Sequence, residues 1–288
     1  MTTLTATAPL PVPTSTGARR PSTASAWATL TARRVALSAR TPREILAPLA
    51  TPILFALVIA PGLAKTIPTA TRGGVDYRTF VIVGTVGLLI PLTCAFAGIG
   101  VIVDRTSGAR RELLAAPIHR AVIVTGNLAV AVATSLLQIA VLMIAGLARG
   151  TKFDASGPGV GWFVLAVVAF TVFSYALAEI LANRIPTQEE YIGLTPVVAI
   201  VPWFLAGSLF PITAMPVGLA WFARVLPTTH MLALIRYGLL DRHAASLHAI
   251  WGVSGNTAAA ALSLLVVTAW AGLLTVVSLR VFTKASVS

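Results

Sequence analysis

Two adjacent carboxylates, Glu189 and Glu190, lie in "TQEEYIG" at the edge of a long apolar run. Paired carboxylates at membrane depth can work in intramembrane metal-dependent proteases, which also need arginine and histidine ligands on neighbouring helices. The apolar runs of this sequence supply no such ligands. A short polar turn after Arg184 and Pro186 therefore explains the pair better, and we predict no catalytic residue.

The usual motifs for binding nucleotides and metals are also missing. No phosphate-binding loop ending in Gly-Lys-Ser/Thr is present, because no lysine follows a glycine. The four histidines lie outside the apolar runs and share no metal-ligand spacing: His119, His230, His243 and His248. The sequence thus predicts no metal and no cofactor in this chain.

One short connection between two apolar runs is rich in charge. It reads "RTSGARRELLAAPIHRA", Arg105–Ala121, and holds four arginines. We predict a short helix from about Ser107 to Ala116, which ends there because the residue before Pro117 is disfavoured in a helix.

The two sides of this short helix differ. Leu113 and Leu114 share an apolar arc, whereas Arg111 and Glu112 project from the other side. The connection either marks only the cytoplasmic side of a membrane or docks onto another protein. Arginines alone explain the first role, but the leucine pair favours docking.

The composition indicates an integral membrane protein. Of the 288 residues, 57% are hydrophobic and 10% are charged, against about 25% charged in soluble domains, and the mean hydropathy is +0.88. The net charge of +12 comes from basic residues scattered between apolar runs. Such residues are typical of membrane flanks, so we predict contact with lipids and no nucleic-acid binding.

Continuous hydrophobicity predicts an all-α membrane protein with six transmembrane helices. The runs are too long and too evenly apolar to be barrel strands. We place the spans at about 45–64, 80–103, 121–148, 160–182, 191–210 and 258–282.

An even number of spans places both termini on one side. With this topology, 13 of the 21 Lys and Arg residues fall on the side of the termini and 8 on the other. Because cytoplasmic loops carry more Lys and Arg, we predict a multi-pass protein of the inner (plasma) membrane with both termini in the cytoplasm.

The segments before the first span differ in character. Residues 1–24 are rich in Thr, Ala, Pro and Ser and predict a disordered cytoplasmic tail, whereas 25–288 form the membrane domain. Ser25–Thr41 is either an interfacial helix on the inner leaflet or a plain basic flank. As a helix this segment would be imperfectly amphipathic, because Arg34 falls on its apolar side.

The connection between spans five and six, Pro211–Asn256, is apolar but broken by Pro211, Pro216 and Pro227. Neither half is long enough to cross a bilayer comfortably, which favours an external re-entrant segment. The alternative is two further spans, and the charges around Arg236 argue against it.

Polar residues are scarce inside the predicted spans. Asn127 and Gln138 either line a pathway or bond adjacent helices, and we favour the second role. Glu179 is expected near the headgroups, paired with Arg184. The lack of charge at depth argues against ion-coupled transport, so any transport needs energy from elsewhere.

Three stretches resemble one family. They are "VDYRTFVIVG", "RTSGARRELLAAPIHRAVIVTGN" and "LAGSLFPITAMPVGLAWFARVLPTTHMLALIRYGLL". In this order, over about residues 25–282, they resemble the permease subunits of type-2 ABC exporters, which include daunorubicin-type drug-efflux permeases. One departure is Arg110 and Arg111, which stand where the family often has an acidic residue and Gly-Thr.

The resemblance implies a set of partners and sites. The charged connection would be a coupling helix that docks onto a separate ABC ATPase subunit, which binds ATP and Mg, and a second permease chain would complete a homo- or heterodimer. The implied coupling residues are Arg110, Arg111, Glu112, Leu113, Leu114 and Pro117. The implied external segment contains Pro211, Pro216, Pro227 and Arg236.

The expected function is outward movement of a hydrophobic or amphipathic compound, either drug-like or lipid-like, with efflux and antibiotic resistance as possible roles. A permease for a lipid-linked glycan remains open. Two other classes also remain: an intramembrane enzyme and a non-transporting membrane assembly factor.

Overall fold

The computed structural model describes residues 22–64, 76–240 and 244–284, which contain helices and no strand. This confirms the all-α prediction. Most of the predicted tail, 1–24, lies outside the described residues. The helices are α1 Thr23–Arg40, α2 Pro42–Leu54, α3 Ala60–Ala64, α4 Tyr77–Thr106, α5 Ala109–Ala115, α6 Arg120–Ala148, α7 Gly157–Arg184, α8 Gln188–Leu205, α9 Val217–Val225, α10 Pro227–Leu239, α11 Ala245–Trp251 and α12 Asn256–Lys284.

Five helical segments of the described residues are long and apolar enough to cross a membrane. They are Ile45–Gly62, Tyr77–Thr106, Arg120–Ala148, Gly157–Arg184 and Asn256–Thr283. The first runs from α2 through a π-helical turn, Phe55–Ile59, into α3. The bent pair of α9 and α10 raises the number to six if it counts as one span. Helix α8 stands at the predicted fifth span but begins with a polar Gln-Glu-Glu turn and is not among the five.

Helix α4 is the centre of the bundle, and α2, α6, α7, α8 and α10 all pack against it. It is apolar on all sides, as expected for a helix surrounded by others. Glycines allow close approach: at Gly84 a Cβ atom would collide with the Ser208 carbonyl, and the Gly84 carbonyl accepts a hydrogen bond from Trp203 Nε1 at 2.7 Å. Small residues at such crossings are typical of membrane helices.

Helices α10 and α12 both pack along α7. The α7–α10 crossing depends on two facing glycines, Gly159 and Gly238, because a Cβ atom on either one would collide with the carbonyl oxygen of the other. The Asp154 amide also donates to the Leu239 carbonyl at 2.9 Å. The first turn of α7 and the last turn of α10 are thus joined through backbone.

The bundle has two distinct ends. At one end, α1 meets the last turns of α4 through an ion pair between Arg33 and Asp104, and α5 meets the end of α12 at Phe282. At the other end, Arg78 donates to the Arg149 carbonyl at 3.3 Å. The described termini therefore lie at the same end of the bundle as α5, which agrees with an even number of crossings.

The connection predicted to be re-entrant consists of short pieces in the structure. A 3-10 turn, Ile212–Ala214, is followed by α9 and α10, which meet at an angle of 83°. Leu226 between them is extended (φ −72°, ψ 127°), as expected for the residue before Pro227. Helix α9 is amphipathic and exposed, whereas α10 is almost entirely buried.

Candidate functional site

Helix α5 is the short helix predicted in the charged connection, and it is slightly shorter than expected. It begins after Gly108, whose φ of +82° favours glycine, and it ends at Ala115. Ala116 is extended (φ −68°, ψ 144°) before the exposed Pro117.

The two sides of α5 face different surroundings. Leu113 and Leu114 are half-buried and pack against the hydrophobic core of the bundle, whereas Arg111 and Glu112 are exposed. The leucine pair therefore holds α5 on its own chain. The surface that α5 presents outward is charged.

Arg110 ties α5 to two membrane helices. Its guanidinium donates to Asn183 Oδ1 at 2.7 Å on α7 and to the Phe282 carbonyl at 3.3 Å on α12, and it lies 4.5 Å from the centre of the Phe282 ring. Burial lowers the pKa of Arg110, and the nearby Glu179 carboxylate opposes this shift. A displacement of α5 would thus pull directly on α7 and α12.

Arg105 makes a second link, which the sequence reasoning did not single out. It lies in the last turn of α4 and donates to the carbonyls of Ala182, Ile185 and Pro186 at 3.0, 2.8 and 2.8 Å. These carbonyls lie in the last turn of α7 and in the α7–α8 connection. Arg105 thus supplies hydrogen-bond donors to carbonyls that have none at the end of a helix. The sequence signal was an Asp-Arg pair, Asp104 and Arg105, directly after an apolar run.

Arg34 on α1 is buried, with 7% of its surface exposed. It donates to the Ala97 carbonyl at 3.3 Å and occupies the space that a side chain on Gly100 would fill. Its place on the apolar side of α1 is therefore not an imperfection, because the side chain points into the bundle. Helix α1 thus docks on α4 with a buried cation.

Glu179 corrects a prediction. It is only 1% exposed and faces the interior, with Arg110 and Arg34 as the cations that act on its carboxylate, whereas Arg184 is exposed on the last turn of α7. The predicted pairing with Arg184 is wrong because position 179 faces the bundle interior and position 184 faces outward. Tyr175, one turn earlier, is also buried beside it.

A cavity of about 20 Å³ lies beside this carboxylate and is lined by Arg110, Leu113, Asn127, Glu179 and residues of α4, α6 and α12. That volume is about the size of one water molecule. Glu179 Oε2 and Arg110 Nε are both buried and have no hydrogen-bond partner among the residues that the structure describes. The cavity therefore connects the short helix α5 to a buried charge on α7.

The two polar residues singled out in the third span have different surroundings. Gln138 is fully buried, donates to the Ile45 carbonyl at 2.6 Å and accepts from Thr93 Oγ1. It thus bonds α6 to both α2 and α4. Asn127 is half-buried and borders the Glu179 cavity.

Arg236 secures the broken segment from within. It is 5% exposed, donates to the carbonyls of Gly207 and Ser208 at 2.8 and 3.2 Å, and lies 3.7 Å from the centre of the Phe80 ring. Each of the three prolines stands at the start of one helical piece of this segment: Pro211 precedes the 3-10 turn, Pro216 precedes α9 and Pro227 begins α10. Arg236 lies beside the first turn of α4, at the end of the bundle opposite α5.

A family model described as ABC-2 type transporter matches residues 25–240, from α1 to the last residue of the broken segment before the undescribed 241–243. The chain belongs to the ABC-2 type transporter family. The match includes both α5 and the re-entrant region, and this confirms the resemblance drawn from the sequence.

Three relatives named Nodulation protein J are similar to this ABC-2 transporter chain. The protein of Sinorhizobium fredii (strain NBRC 101917 / NGR234) is 28% identical, over 69% of this chain and 75% of the relative. Those of Rhizobium leguminosarum bv. viciae and bv. trifolii are 25% and 26% identical, over 69% and 67% of this chain and 76% and 72% of the relatives. The chain is thus a membrane transport permease of this family.

Proposed function

We propose that this permease is the membrane-spanning part of an ATP-driven exporter that moves a hydrophobic or amphipathic compound outward. A separate nucleotide-binding subunit binds ATP and Mg, and α5 docks onto it. A second permease chain completes the transporter, because one α5 engages one ATPase subunit. The compound is drug-like or lipid-like, as in the efflux systems that the sequence resembles.

The observation that carries this proposal is the attachment of α5. Its exposed side is charged, and its inner side is fixed to α7 and α12 through Arg110 and to the core through Leu113 and Leu114. A subunit pressing on Arg111 and Glu112 would therefore move membrane helices and not just a loop. A connection that only marked topology would not need these attachments.

The end of the bundle that holds α5 is proposed to face the cytoplasm of a cell with an inner (plasma) membrane. The positive-inside bias supports this orientation, and so does the common location of α5 and both described termini. The exposed Trp27, Val35 and Leu37 of α1 would then contact the inner leaflet, whose apolar interior suits such side chains.

The experiment tests docking without disturbing the fold. Arg111→Glu combined with Glu112→Arg reverses both charges on the exposed side of α5 and leaves Arg110 and the leucines in place. The control is Glu189→Lys, an exposed charge at the same end of the bundle but outside α5. Each chain is purified from membranes together with any ATPase, identified by mass spectrometry, and is then assayed for ATP hydrolysis and dye efflux in proteoliposomes.

We expect the wild type and the control to retain an ATPase and to export, and the double charge reversal to lose both while its thermal stability stays unchanged. Retention of ATPase and efflux by the double reversal would refute the coupling role. If the wild type itself copurifies with no ATPase, the assembly-factor and enzyme alternatives gain support. Native mass spectrometry of the active complex should show two permease chains and two ATPase chains.

A further inference from the structure

Helices α7 and α8 leave a gap between them. Both pack against α4, yet they make few contacts with each other beyond the short connection that joins them. The gap forms a cavity of about 100 Å³. Its lining residues come from α4, α7, α8 and the α9–α10 junction.

The cavity is a slot that runs along the helix axes. Its lining extends from Phe173 to Leu181 on α7 and from Tyr191 to Pro202 on α8, which at 1.5 Å per residue gives a length of roughly 12–16 Å. Leu226 and Pro227 close the end opposite the α7–α8 connection. A narrow slot parallel to membrane helices has the shape of an extended alkyl chain, which lies along the same direction in a bilayer.

The chemistry of the lining points to the same occupant. Most of the lining side chains are aliphatic or aromatic, and an apolar cavity of roughly 150 Å³ is known to stay dry and to accept a small hydrocarbon. Leu177 and Val198 are half-exposed, so the slot opens to the outer surface of the helix bundle. Water is a poor occupant of such a lining, whereas hydrocarbon surrounds most of the outer surface of a membrane-spanning bundle.

The three hydroxyl groups that line the slot differ in their hydrogen bonding. The hydroxyl of Tyr191 donates to the Ala95 carbonyl and that of Thr195 to the Tyr191 carbonyl, both at 3.1 Å. Ser174 Oγ, by contrast, is buried and has no hydrogen-bond partner within the described ranges 22–64, 76–240 and 244–284. It can therefore donate one hydrogen bond to an oxygen on the occupant, such as an ester or amide carbonyl.

We propose that the slot between α7 and α8 is a binding site for one acyl chain, with Ser174 as the donor to its carbonyl or a neighbouring oxygen. The chain belongs either to a resident phospholipid or to a single-chain amphiphile that the permease carries. The site requires only that the protein spans a membrane, so it does not depend on docking of an ATPase.

The test uses the full chain in nanodiscs that contain a small fraction of one of two photoreactive probes. One probe is a diazirine-bearing phosphatidylcholine and the other is a diazirine-bearing single-chain acyl amide. After irradiation, the cross-linked residues are mapped by mass spectrometry. We expect at least one probe to label the slot residues Leu177 and Val198 several times more than the exposed Val197 and Leu165.

Matched variants separate binding from general lipid contact. Val198→Trp fills the slot and should reduce its labelling at least fivefold, whereas Val197→Trp, next to it on the outer side of α8, should change it less than twofold. Ser174→Ala should reduce labelling about fivefold, the equivalent of about 1 kcal/mol at 1.4 kcal/mol per tenfold. Ala178→Leu fills the slot from the opposite wall if Val198→Trp lowers the yield of folded protein.

Labelling by the phosphatidylcholine alone identifies a resident lipid, and labelling by the single-chain amide identifies a cargo-like ligand. Either result supports the acyl-chain site. Equal labelling of slot and exposed residues, or slot labelling that neither filling variant reduces, would overturn it.

Discussion

Replacing Arg236 with alanine should destabilise the broken segment more than any exposed arginine could. Its guanidinium makes two hydrogen bonds, at 2.8 and 3.2 Å, to the carbonyls of Gly207 and Ser208, and lies 3.7 Å from the centre of the Phe80 ring. Charged hydrogen bonds contribute about 1.5–3 kcal/mol each, and a desolvated cation–π contact contributes about 2 kcal/mol.

The net effect is smaller than the sum of these contributions. Removing the guanidinium also removes the free-energy cost of burying a charge, but it leaves two buried carbonyls without their donor. We therefore expect the free energy of unfolding to fall by about 2–4 kcal/mol. At about 2–3 °C per kcal/mol for a chain of this size, the Tm should fall by about 5–10 °C.

The assay is thermal unfolding of the purified chain in detergent, followed by the loss of monodisperse protein on size exclusion. Arg236→Lys should recover less than half of the loss, because a lysine cannot bond both carbonyls and stack on Phe80 at once. Arg184→Ala, which removes an exposed arginine, is the control and should shift the Tm by less than 2 °C. An Arg236→Ala variant as stable as this control would show that the buried guanidinium does not hold the segment.

Three further predictions concern close packing and topology. Gly238→Ala should lower the free energy of unfolding by about 1–3 kcal/mol, because its new methyl group would collide with the α7 backbone at Gly159. Thermal unfolding measures this loss, and an unchanged stability would contradict the close α7–α10 crossing. Gly100→Ala should release α1 by displacing the buried Arg34 guanidinium, which increased trypsin cleavage within α1 would report and an unchanged digest would disprove. In a Cys94-free chain, a cysteine at Ser15 should resist, and one at Ala155 should accept, a membrane-impermeant maleimide added to intact cells; the reverse pattern would invert the proposed orientation.

Much of the fold could be predicted from the sequence, because the length of each apolar segment limits where a membrane protein can place its spanning helices. Four of the six predicted spans coincide with the long helices α4, α6, α7 and α12, and the first coincides with the run through α2 and α3. The fifth is less clear because α8 is short and begins with polar residues. Local chemistry also predicted the end of α5 before Pro117.

The buried charges could not be predicted, because they depend on which side of each helix meets a neighbour. Glu179 and Arg184 are five residues apart, and a helix places them about 140° apart, so one faces the bundle and the other faces outward. Arg34 likewise seemed misplaced until the missing side chain of Gly100 provided space for it. In each case the deciding partner lies on another helix.

The surroundings of the leucine pair of α5, at the proposed coupling site, also could not be predicted from the sequence. A short helix with two adjacent leucines fits either a groove on a partner or the helix's own bundle, and the sequence alone favoured the partner. In the structure Leu113 and Leu114 pack against the core of the same chain. Changing both to aspartate should therefore damage the fold as well as any docking, since buried carboxylates need partners. A loss of efflux in that variant would thus not isolate docking, whereas reversing the exposed charges of Arg111 and Glu112 leaves the core intact and tests the docking surface alone.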